Sequence, residues 1–474
     1  MGSLPEHPDP IARHARARPE VSALRGPSRA WSYREMDAAV ARRHAGLRAA
    51  GVEARARVAL RMDRTGEMVL LLWALWRAGA VAVPLSTRLP PGGAVEQAEA
   101  AGAGCLITTD PAVGEAASGK LSVHAPKSFR EGDLSMPAAP ARPRDRPATI
   151  VHTSGSTGPP KAALHTWANH LYSAKGANAN MPLRPGDRWL LSLPLYHVGG
   201  LAILVRCALA GAAVQVPAPG TTIEAALRAG ATHVSMVATQ FRRVLHVTEG
   251  PPPAVRAVIL GGGPIPDALL QNGVERGWPL HTSYGCTEMA SQVTTTPPGA
   301  SLDTLRTAGR RLPHRRLRID DGQILVGGPP LFAGYVTPDG LDDPRLDGEW
   351  YPTGDRGRLD AQGRLHVEGR LDRMFVSGGE NIQPEEIEAA LERIDGVERA
   401  VVVPVPDPEF GRRPVAFVRR TGGVTDDALR AALREILPGF KLPDAFHSLT
   451  EEGTTSGLKI DRTRLEKRAR KLHT

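Results

Sequence analysis

The chain has 474 residues, of which 41% are hydrophobic and 23% charged, and its net charge is +9 at neutral pH. Only 4% of the residues are aromatic and the charges are interleaved along the chain, which argues against nucleic-acid binding. The most apolar stretches, 70–76 and 201–205, end at Arg77 and Arg206 and are too short to span a bilayer, so we expect no membrane association.

The start of the chain and its cysteines predict a cellular location. Residues 1–20 contain no apolar stretch of the kind that a signal peptide needs. The three cysteines, Cys105, Cys207 and Cys286, show no CxxC spacing, which argues against disulfides and a zinc site and favours a reducing compartment. We therefore expect a cytoplasmic protein.

Helix and strand patterns then alternate along the chain. Ser32 and Glu35 form a capping-box pattern before a helix that ends near Gly51. Further helices are expected at 68–77 and 94–101, and strands at 57–62, 81–85, 105–108, 149–152, 189–193, 213–216, 233–236, 255–260 and 281–284. This alternation predicts largely parallel sheet covered by helices. The proline-rich segment 125–147 is expected to be an exposed connection.

The pattern changes after about Pro297. Short strands at 317–319, 323–326, 357–359 and 365–367 predict a small β subdomain over about 297–370. The nearby basic cluster is interpreted as solvated surface and consists of Arg310, Arg311, Arg315, Arg316 and Arg318. Beyond Arg370, a helix start at 384–386 and a helix pattern at 428–436 flank strands at 400–405 and 415–419. We expect an N-terminal domain, 1–370, and an α+β C-terminal domain, 371–474.

The segment 153–161 (TSGSTGPPK) has the composition of a phosphate-binding loop. Its glycines let the backbone approach a ligand closely, and its hydroxyls and amides can donate to phosphate oxygens. Lys161 adds a positive charge at the end of the segment. The GxxxxGK[ST] spacing of a Walker A loop is absent, so the sequence predicts a phosphate loop of another kind.

This loop resembles that of the adenylate-forming superfamily, which comprises acyl- and aryl-CoA synthetases, adenylation domains and luciferases. Four more superfamily-like motifs follow in order: 284–288 (YGCTE), 351–355 (YPTGD), 369–373 (GRLDR) and 457–462 (GLKIDR). The resemblance implies an α/β fold, with a large N-terminal domain of helix-covered sheets, a small β subdomain and a smaller, mobile α+β C-terminal domain. It also implies an AMP-forming acid–thiol ligase that uses ATP, Mg²⁺ and coenzyme A on a small carboxylic acid.

The resemblance implies roles for the residues of these motifs. Thr287 would contact the α-phosphate, Glu288 would hold Mg²⁺, Tyr284 would stack on adenine and Asp355 would accept from the ribose hydroxyls. One carboxylate can suffice for Mg²⁺, because phosphates and water supply the remaining oxygens. The full set implied for the nucleotide is Thr153, Ser154, Gly155, Ser156, Thr157, Gly158, Lys161, Gly262, Gly263, Tyr284, Gly285, Thr287, Asp355 and Arg370.

The C-terminal motifs would act in turn. Lys459 is implied to bridge the attacking carboxylate and the α-phosphate, although Leu458 precedes it where many relatives have glycine. The domain would then rotate about Asp372, withdrawing Lys459 and bringing Gly378 and Gly379 beside the pantetheine of coenzyme A.

Longer matches at 377–388 and 404–416 resemble CoA ligases whose acid carries a second carboxylate on an aromatic ring. We expect His197, Arg206, Gln240 and Ser291 to line the acid pocket, with His197 also among the catalytic residues beside Lys459, Thr287 and Glu288. Arg206 could equally be a surface arginine on its helix. In the loop that precedes Arg315, His314 stands where relatives usually have glycine.

Three alternatives stay open at this point. The chain could activate another aryl or acyl acid, or load a carrier protein instead of coenzyme A. It could also be a catalytically silent nucleotide-binding homologue, which the presence of Glu288, Asp355, Arg370 and Lys459 disfavours. A homo-oligomer is possible, and the sequence does not predict its size.

Overall fold

The computed structural model describes residues 9–130, 145–153, 160–377, 380–435, 437–450, 454–455 and 459–473. Its helices are α1 (Pro10–Ala17), α2 (Tyr33–Ala49), α3 (Gly66–Ala78), α4 (Pro91–Ala100), α5 (Pro111–Ala117), α6 (Trp167–Asn180), α7 (Val198–Ala210), α8 (Ile223–Arg228), α9 (Ala238–Val247), α10 (Asp267–Glu275), α11 (Leu302–Leu305), α12 (Pro384–Leu391), α13 (Asp426–Arg434) and α14 (Arg462–Leu472). No helix in these described ranges is long and apolar enough to cross a membrane.

The strands, in chain order, are β1 (Ser22–Arg25), β2 (Ala30–Ser32), β3 (Arg57–Arg61), β4 (Val81–Pro84), β5 (Cys105–Thr108), β6 (Ser122–His124), β7 (Pro147–His152), β8 (Ala162–Thr166), β9 (Arg188–Leu190), β10 (Ala213–Gln215), β11 (His233–Met236), β12 (Ala257–Leu260), β13 (Leu280–Cys286), β14 (Ser291–Thr295), β15 (Arg310–Arg311), β16 (Arg316–Asp320), β17 (Gln323–Gly327), β18 (Gly334–Thr337), β19 (Gly340–Asp342), β20 (Trp350–Leu359), β21 (Leu365–Arg370), β22 (Phe375–Ser377), β23 (Glu380–Ile382), β24 (Val397–Asp407), β25 (Gly411–Arg420), β26 (Phe446–Ser448), β27 (Thr454–Thr455) and β28 (Lys459–Ile460).

Two large sheets form the N-terminal part. One has the order β19-β18-β8-β7-β4-β3-β5-β6 and the other the order β15-β14-β13-β12-β11-β9-β10-β1-β2. The β3, β4 and β5 strands pair in parallel, as do β9 to β13 in their sheet. A continuous core joins Leu60 of the first sheet, Trp189 of the second and helix α3. The predicted α/β fold of helix-covered sheets is confirmed.

Local sequence signals explain where helices begin and end. Ser32 Oγ accepts from the Glu35 N–H, and the Glu35 carboxylate accepts from the Ser32 N–H, so the predicted capping box of α2 is confirmed. Helix α3 ends at Gly79 and helix α7 at Gly211, both in the left-handed conformation that glycine adopts without strain. These ends direct the chain into the strands that follow.

The segment 297–370 is divided among three sheets. Strands β16, β17, β20 and β21 form a separate four-stranded antiparallel sheet, whereas β15 and the β18-β19 pair extend the two large sheets. The expectation of an exposed connection at 125–147 is wrong at its start, because a 3-10 helix, Pro126–Phe129, buries Phe129 to 1% exposure. Residues 131–144 of that segment lie outside the described residues.

The C-terminal part has its own core. Helices α12 and α13 pack Ile387 and Leu429 against the three-stranded sheet β24-β25-β26. Strands β22 and β23 form one two-stranded sheet, and β27 and β28 form another. A domain boundary at 370/371 stays a prediction.

Candidate active site

A hairpin of β13 and β14 carries the YGCTE motif at its tip. Thr287–Met289 form a 3-10 helix between the strands, and Ala290 and Ser291 follow with positive φ angles of 51° and 128°. A Cβ at Gly285 would lie 2.1 Å from the Ser291 carbonyl oxygen, so the hairpin itself requires glycine there. We call residues 286–291 the hairpin turn.

Glu288 is held in one position within the hairpin turn. Its side chain is buried, and its Oε1 accepts a 2.6 Å hydrogen bond from the Tyr335 hydroxyl, which lies 2.8 Å from the Tyr351 hydroxyl. Burial and the neighbouring Glu288 raise the pKa of Tyr335, so the hydroxyl stays a donor. Lys161 Nζ lies 4.9 Å from the Tyr335 ring centroid. Two separately predicted residues, Lys161 and Glu288, therefore meet at Tyr335.

The base of the predicted phosphate loop is closed by its own backbone. The Thr153 N–H donates to the Lys161 carbonyl at 2.8 Å, which joins the end of β7 to the start of β8. The predicted residues between them, Ser154, Gly155, Ser156, Thr157 and Gly158, lie outside the described residues. The end of the loop is thus fixed beside the hairpin turn through Lys161.

The predicted ribose carboxylate is oriented from two sides. The Tyr284 hydroxyl donates to Asp355 at 2.6 Å, and Arg370 Nη1 donates to Asp355 at 3.1 Å and to the Thr353 carbonyl at 2.9 Å. Burial raises the pKa of Asp355, while Tyr284 and Arg370 act in the opposite direction. Three residues that the motifs placed at the nucleotide are therefore in direct contact.

Two predicted glycines follow β12. Gly262 has a φ of 79°, which favours glycine, and a Cβ there would meet Val237 at 3.6 Å. A Cβ at Gly263 would have no atom of the described residues within 4 Å. The turn leaves room for a flat ligand against the main chain.

Arg206 is buried rather than exposed on helix α7. It is 2% exposed, donates to Asn178 at 2.9 Å and to the Gln292 side chain at 3.1 Å, and its guanidinium lies 4.1 Å from the Trp189 ring centroid. Its Nη2 is buried and has no hydrogen-bond partner among the described residues, and burial lowers the pKa of Arg206 to about 9. The surface-arginine alternative is wrong. Because Gln292 follows Ser291, two predicted pocket residues, Arg206 and Ser291, lie at one hairpin.

The other predicted pocket residues lie at helix starts. His197 is the N-cap residue of α7, and its exposed ring lies edge-on to Tyr196 at 4.7 Å. Gln240 Oε1 accepts from the Val237 N–H at 3.1 Å, so this side chain caps helix α9. The roles of both residues toward an acid stay predictions.

The C-terminal motifs are partly described. Asp372 lies in a 3-10 helix, Leu371–Arg373, and accepts from Arg370 at 3.1 and 3.0 Å. Lys459 lies on β28 and pairs with Thr455 of β27. The side chain of Lys459, and residues Gly378 and Gly379, lie outside what the structure describes.

Several side chains at the site were not predicted. Tyr335 contacts Glu288 across 47 residues, and Arg206 contacts Asn178 and Gln292 across 28 and 86 residues. No local motif marks these partners, since each lies far along the chain from the group it contacts. The charged group is recognisable in the sequence, whereas the residue that orients it is not.

These contacts bring a buried carboxylate, Glu288, and two further charged residues, Asp355 and Lys161, to the hairpin and the tyrosines that contact it. The chain belongs to the AMP-binding enzyme family, whose model matches residues 11–336, and the AMP-binding enzyme C-terminal domain matches 386–458. Membership of the superfamily is thus confirmed.

The chain is similar to 2-succinylbenzoate–CoA ligases along its whole length. It is 34% identical to that of Geobacillus kaustophilus, with 97% of each chain covered, and 33% identical to that of Bacillus velezensis, with 98% covered. The o-succinylbenzoate CoA synthetase of Bacillus subtilis with its acyl-adenylate intermediate has a TM-score of 0.91 at 30% identity, covering 98% of this chain and 99% of that one. The same enzyme with ATP and magnesium ion has a TM-score of 0.89 at 30% identity, covering 97% and 100%.

Proposed function

We propose that this chain is an ATP-dependent 2-succinylbenzoate–CoA ligase that acts in menaquinone biosynthesis in the cytoplasm. The acid would first displace pyrophosphate from ATP to form an acyl-adenylate, and the thiol of coenzyme A would then displace AMP. The observation that carries the proposal is the hairpin itself. Its tip presents Glu288, which contacts the same Tyr335 as Lys161 does, and its second strand contacts the buried Arg206.

The residues that would bind the nucleotide would act by offsetting the negative charge of its phosphates. Glu288 would bind Mg²⁺, which offsets the negative charge of the phosphates when bound. No cluster of three or more potential metal-ligating His, Cys, Asp or Glu side chains occurs in the described part of the chain. A single carboxylate such as that of Glu288 can suffice for Mg²⁺, because phosphate and water supply its remaining oxygen ligands. Lys161, Thr287 and the loop from Thr153 would bind the phosphates, and Asp355 the ribose.

The acid side would use the unpartnered donor of Arg206. A buried guanidinium without a counter-ion is costly, and a carboxylate placed at its free Nη2 would compensate the charge. The ring carboxylate of 2-succinylbenzoate is such a group. Ser291, His197 and Gln240 would line the rest of the pocket.

The C-terminal domain, 371–474, would supply Lys459 to the first step and leave for the second. Lys459 would stabilise the charge that develops between the attacking carboxylate and the α-phosphate. Rotation about Asp372 would then place Gly378 and Gly379 beside the pantetheine arm. The thiolate attacks the acyl carbonyl carbon, and the carbon–oxygen bond to AMP breaks.

The test is a comparison of 2-succinylbenzoate with 4-oxo-4-phenylbutanoate, which lacks only the ring carboxylate. We expect kcat/KM for CoA-thioester formation to be higher for 2-succinylbenzoate by about 10²-fold or more, because a site built to pair a charged group rejects the analogue without it. Arg206→Met should remove most of this preference.

Other outcomes identify the alternatives. Equal rates with both acids, or faster turnover of an unrelated acid from a panel, would indicate another aryl- or acyl-CoA ligase. Adenylate formation without transfer to coenzyme A would indicate a carrier-protein-loading enzyme. If no acid releases AMP, the chain is a silent homologue.

A further inference from the structure

Arg315 differs from the other arginines of its cluster. Arg316 and Arg318 are exposed on β16, as the sequence predicted for the whole cluster, but Arg315 is 1% exposed. The chain enters this position through His314, whose φ of 66° is the left-handed conformation that glycine adopts more easily. The prediction of a solvated surface is therefore wrong for Arg315, whose guanidinium is directed into the domain.

Within the part of the chain that the structure describes, the guanidinium of Arg315 donates only to neutral acceptors. Nε donates to the Gln292 carbonyl at 2.9 Å, Nη2 to the carbonyl and hydroxyl oxygens of Ser173 at 2.7 and 3.3 Å, and Nη1 to the carbonyls of Tyr172 and Pro313 at 3.2 and 2.8 Å. No carboxylate in the ranges that the structure covers forms an ion pair with it. Helix α6 accommodates the group at Gly176, where a Cβ would lie 1.9 Å from Nη1.

Two of these acceptors hold the hairpin on either side of Ser291. The Ser173 hydroxyl that accepts from Arg315 donates in turn to the Ala290 carbonyl at 2.9 Å. Gln292 accepts from Arg315 through its carbonyl and from Arg206 through its side chain. Arg315 therefore fixes the backbone before and after Ser291, where two successive residues have positive φ angles.

We propose that Arg315 is a positioning residue of the acid pocket. It holds Ser291 in its left-handed conformation and holds Gln292 in the place from which it orients Arg206. The proposal rests on the proposed function, since it takes Arg206 and Ser291 as the groups that meet the acid.

The test is Arg315→Gln, with the KM values for acid and for MgATP measured separately and active sites counted from the first-turnover release of pyrophosphate. We expect the acid KM to rise about tenfold, as for loss of a supporting partner of a binding group, and the MgATP KM to change less than about twofold. Arg318→Gln, in the same cluster but exposed, should leave both unchanged. Unchanged KM values in folded Arg315→Gln, or equal rises in both, would overturn the proposal.

Ser173→Ala keeps the test decisive if Arg315→Gln does not fold. It removes one hydroxyl between Arg315 and Ala290, and we expect the acid KM to rise about threefold with MgATP unaffected. An unchanged acid KM in this variant would contradict the positioning role. The wild-type preference for 2-succinylbenzoate tests the proposed function by itself. If another acid is preferred, that function fails, while the change in KM for the preferred acid still decides the role of Arg315.

Discussion

Two of the predicted catalytic residues, Glu288 and Lys459, stand on different supports. Glu288 lies at the tip of a hairpin that belongs to a nine-stranded sheet, and a buried tyrosine hydroxyl holds its carboxylate at 2.6 Å. Lys459 lies on the two-residue strand β28, which pairs with the two-residue strand β27 in a sheet of its own. Glu288 is held by a hydrogen bond within the protein, whereas Lys459 depends on a small two-stranded element.

The small element is nonetheless anchored within its own domain. Arg462 starts helix α14 directly after the lysine strand, and its guanidinium donates to both carboxylate oxygens of Glu388 at 2.6 and 2.7 Å. Glu388 belongs to α12 and also accepts from the Val402 N–H at 2.7 Å. The lysine strand is thus tied to the C-terminal core, which suits a residue proposed to move with that domain. Substitutions that disturb Glu288 in the hairpin turn should therefore lower the reaction rate, whereas substitution of Arg462 should lower the stability of the C-terminal part.

The largest expected effect is that of removing the ion pair between Arg462 and Glu388. Arg462→Met leaves the buried Glu388 carboxylate without its cation, which should destabilise the C-terminal part by about 3–5 kcal/mol. Urea unfolding followed by circular dichroism measures the change. Arg470→Met is the matched control, because Arg470 pairs with Glu466 on the exposed face of the same helix and should cost at most about 0.5 kcal/mol. Similar losses for both variants would mean that the Arg462–Glu388 pair is no special anchor.

Lys459→Ala should act on one half-reaction only. We expect acid-dependent pyrophosphate release to fall by about 10²–10³-fold, equivalent to about 2.7–4 kcal/mol of transition-state stabilisation. Attack of coenzyme A on pre-formed acyl-adenylate should be largely spared, because the lysine is withdrawn in that step. Lys467→Ala, on the exposed face of α14, serves as the control. Equal loss of both half-reactions would contradict the assignment of Lys459 to the first.

On the other side of the comparison, Tyr335→Phe removes the hydroxyl that holds Glu288. Loss of an outer partner of a metal-binding carboxylate typically weakens metal affinity or activity by about 10–100-fold. The expected result is a higher Mg²⁺ concentration for half-maximal pyrophosphate release, with the acid KM little changed. Tyr33→Phe is the control, since Tyr33 of α2 is also buried and its hydroxyl donates to the Cys207 and Ala212 carbonyls. An unchanged Mg²⁺ requirement in Tyr335→Phe would argue that Glu288 does not bind the metal.

The sequence predicted the fold and the charged groups better than their supports. The alternating patterns located strands β3, β4 and β5 and the parallel arrangement, since these depend on local hydrophobicity and on caps such as Ser32. The motifs located Glu288, Asp355 and Lys161. In the structure, Asp355 contacts Tyr284 of the hairpin, and Lys161 contacts Tyr335, which also binds Glu288. Burial of Arg206 and Arg315 could not be predicted, because it depends on acceptors such as Gln292 and Ser173 that reach them only through the tertiary fold.

The remaining expected effect concerns the acid stability of the nine-stranded sheet, in which His233 lies on β11. His233 is 3% exposed and stacks on Trp189, and burial, followed by the charges of Arg206 and Arg256, lowers its pKa to about 3. In the unfolded chain its pKa is near 6.5, so below that pH the unfolded state binds a proton that folded His233 does not bind. This stability is present above pH 6.5 and is lost as the pH falls toward 3, by up to about 1.4 kcal/mol per pH unit.

His233→Gln should reduce the fall in urea midpoint between pH 7 and pH 5. His447 lies in the C-terminal part and is more exposed, so His447→Gln should leave the fall in urea midpoint nearly unchanged. An equal reduction in the two variants would show that His233 is no more acid-sensitive than His447.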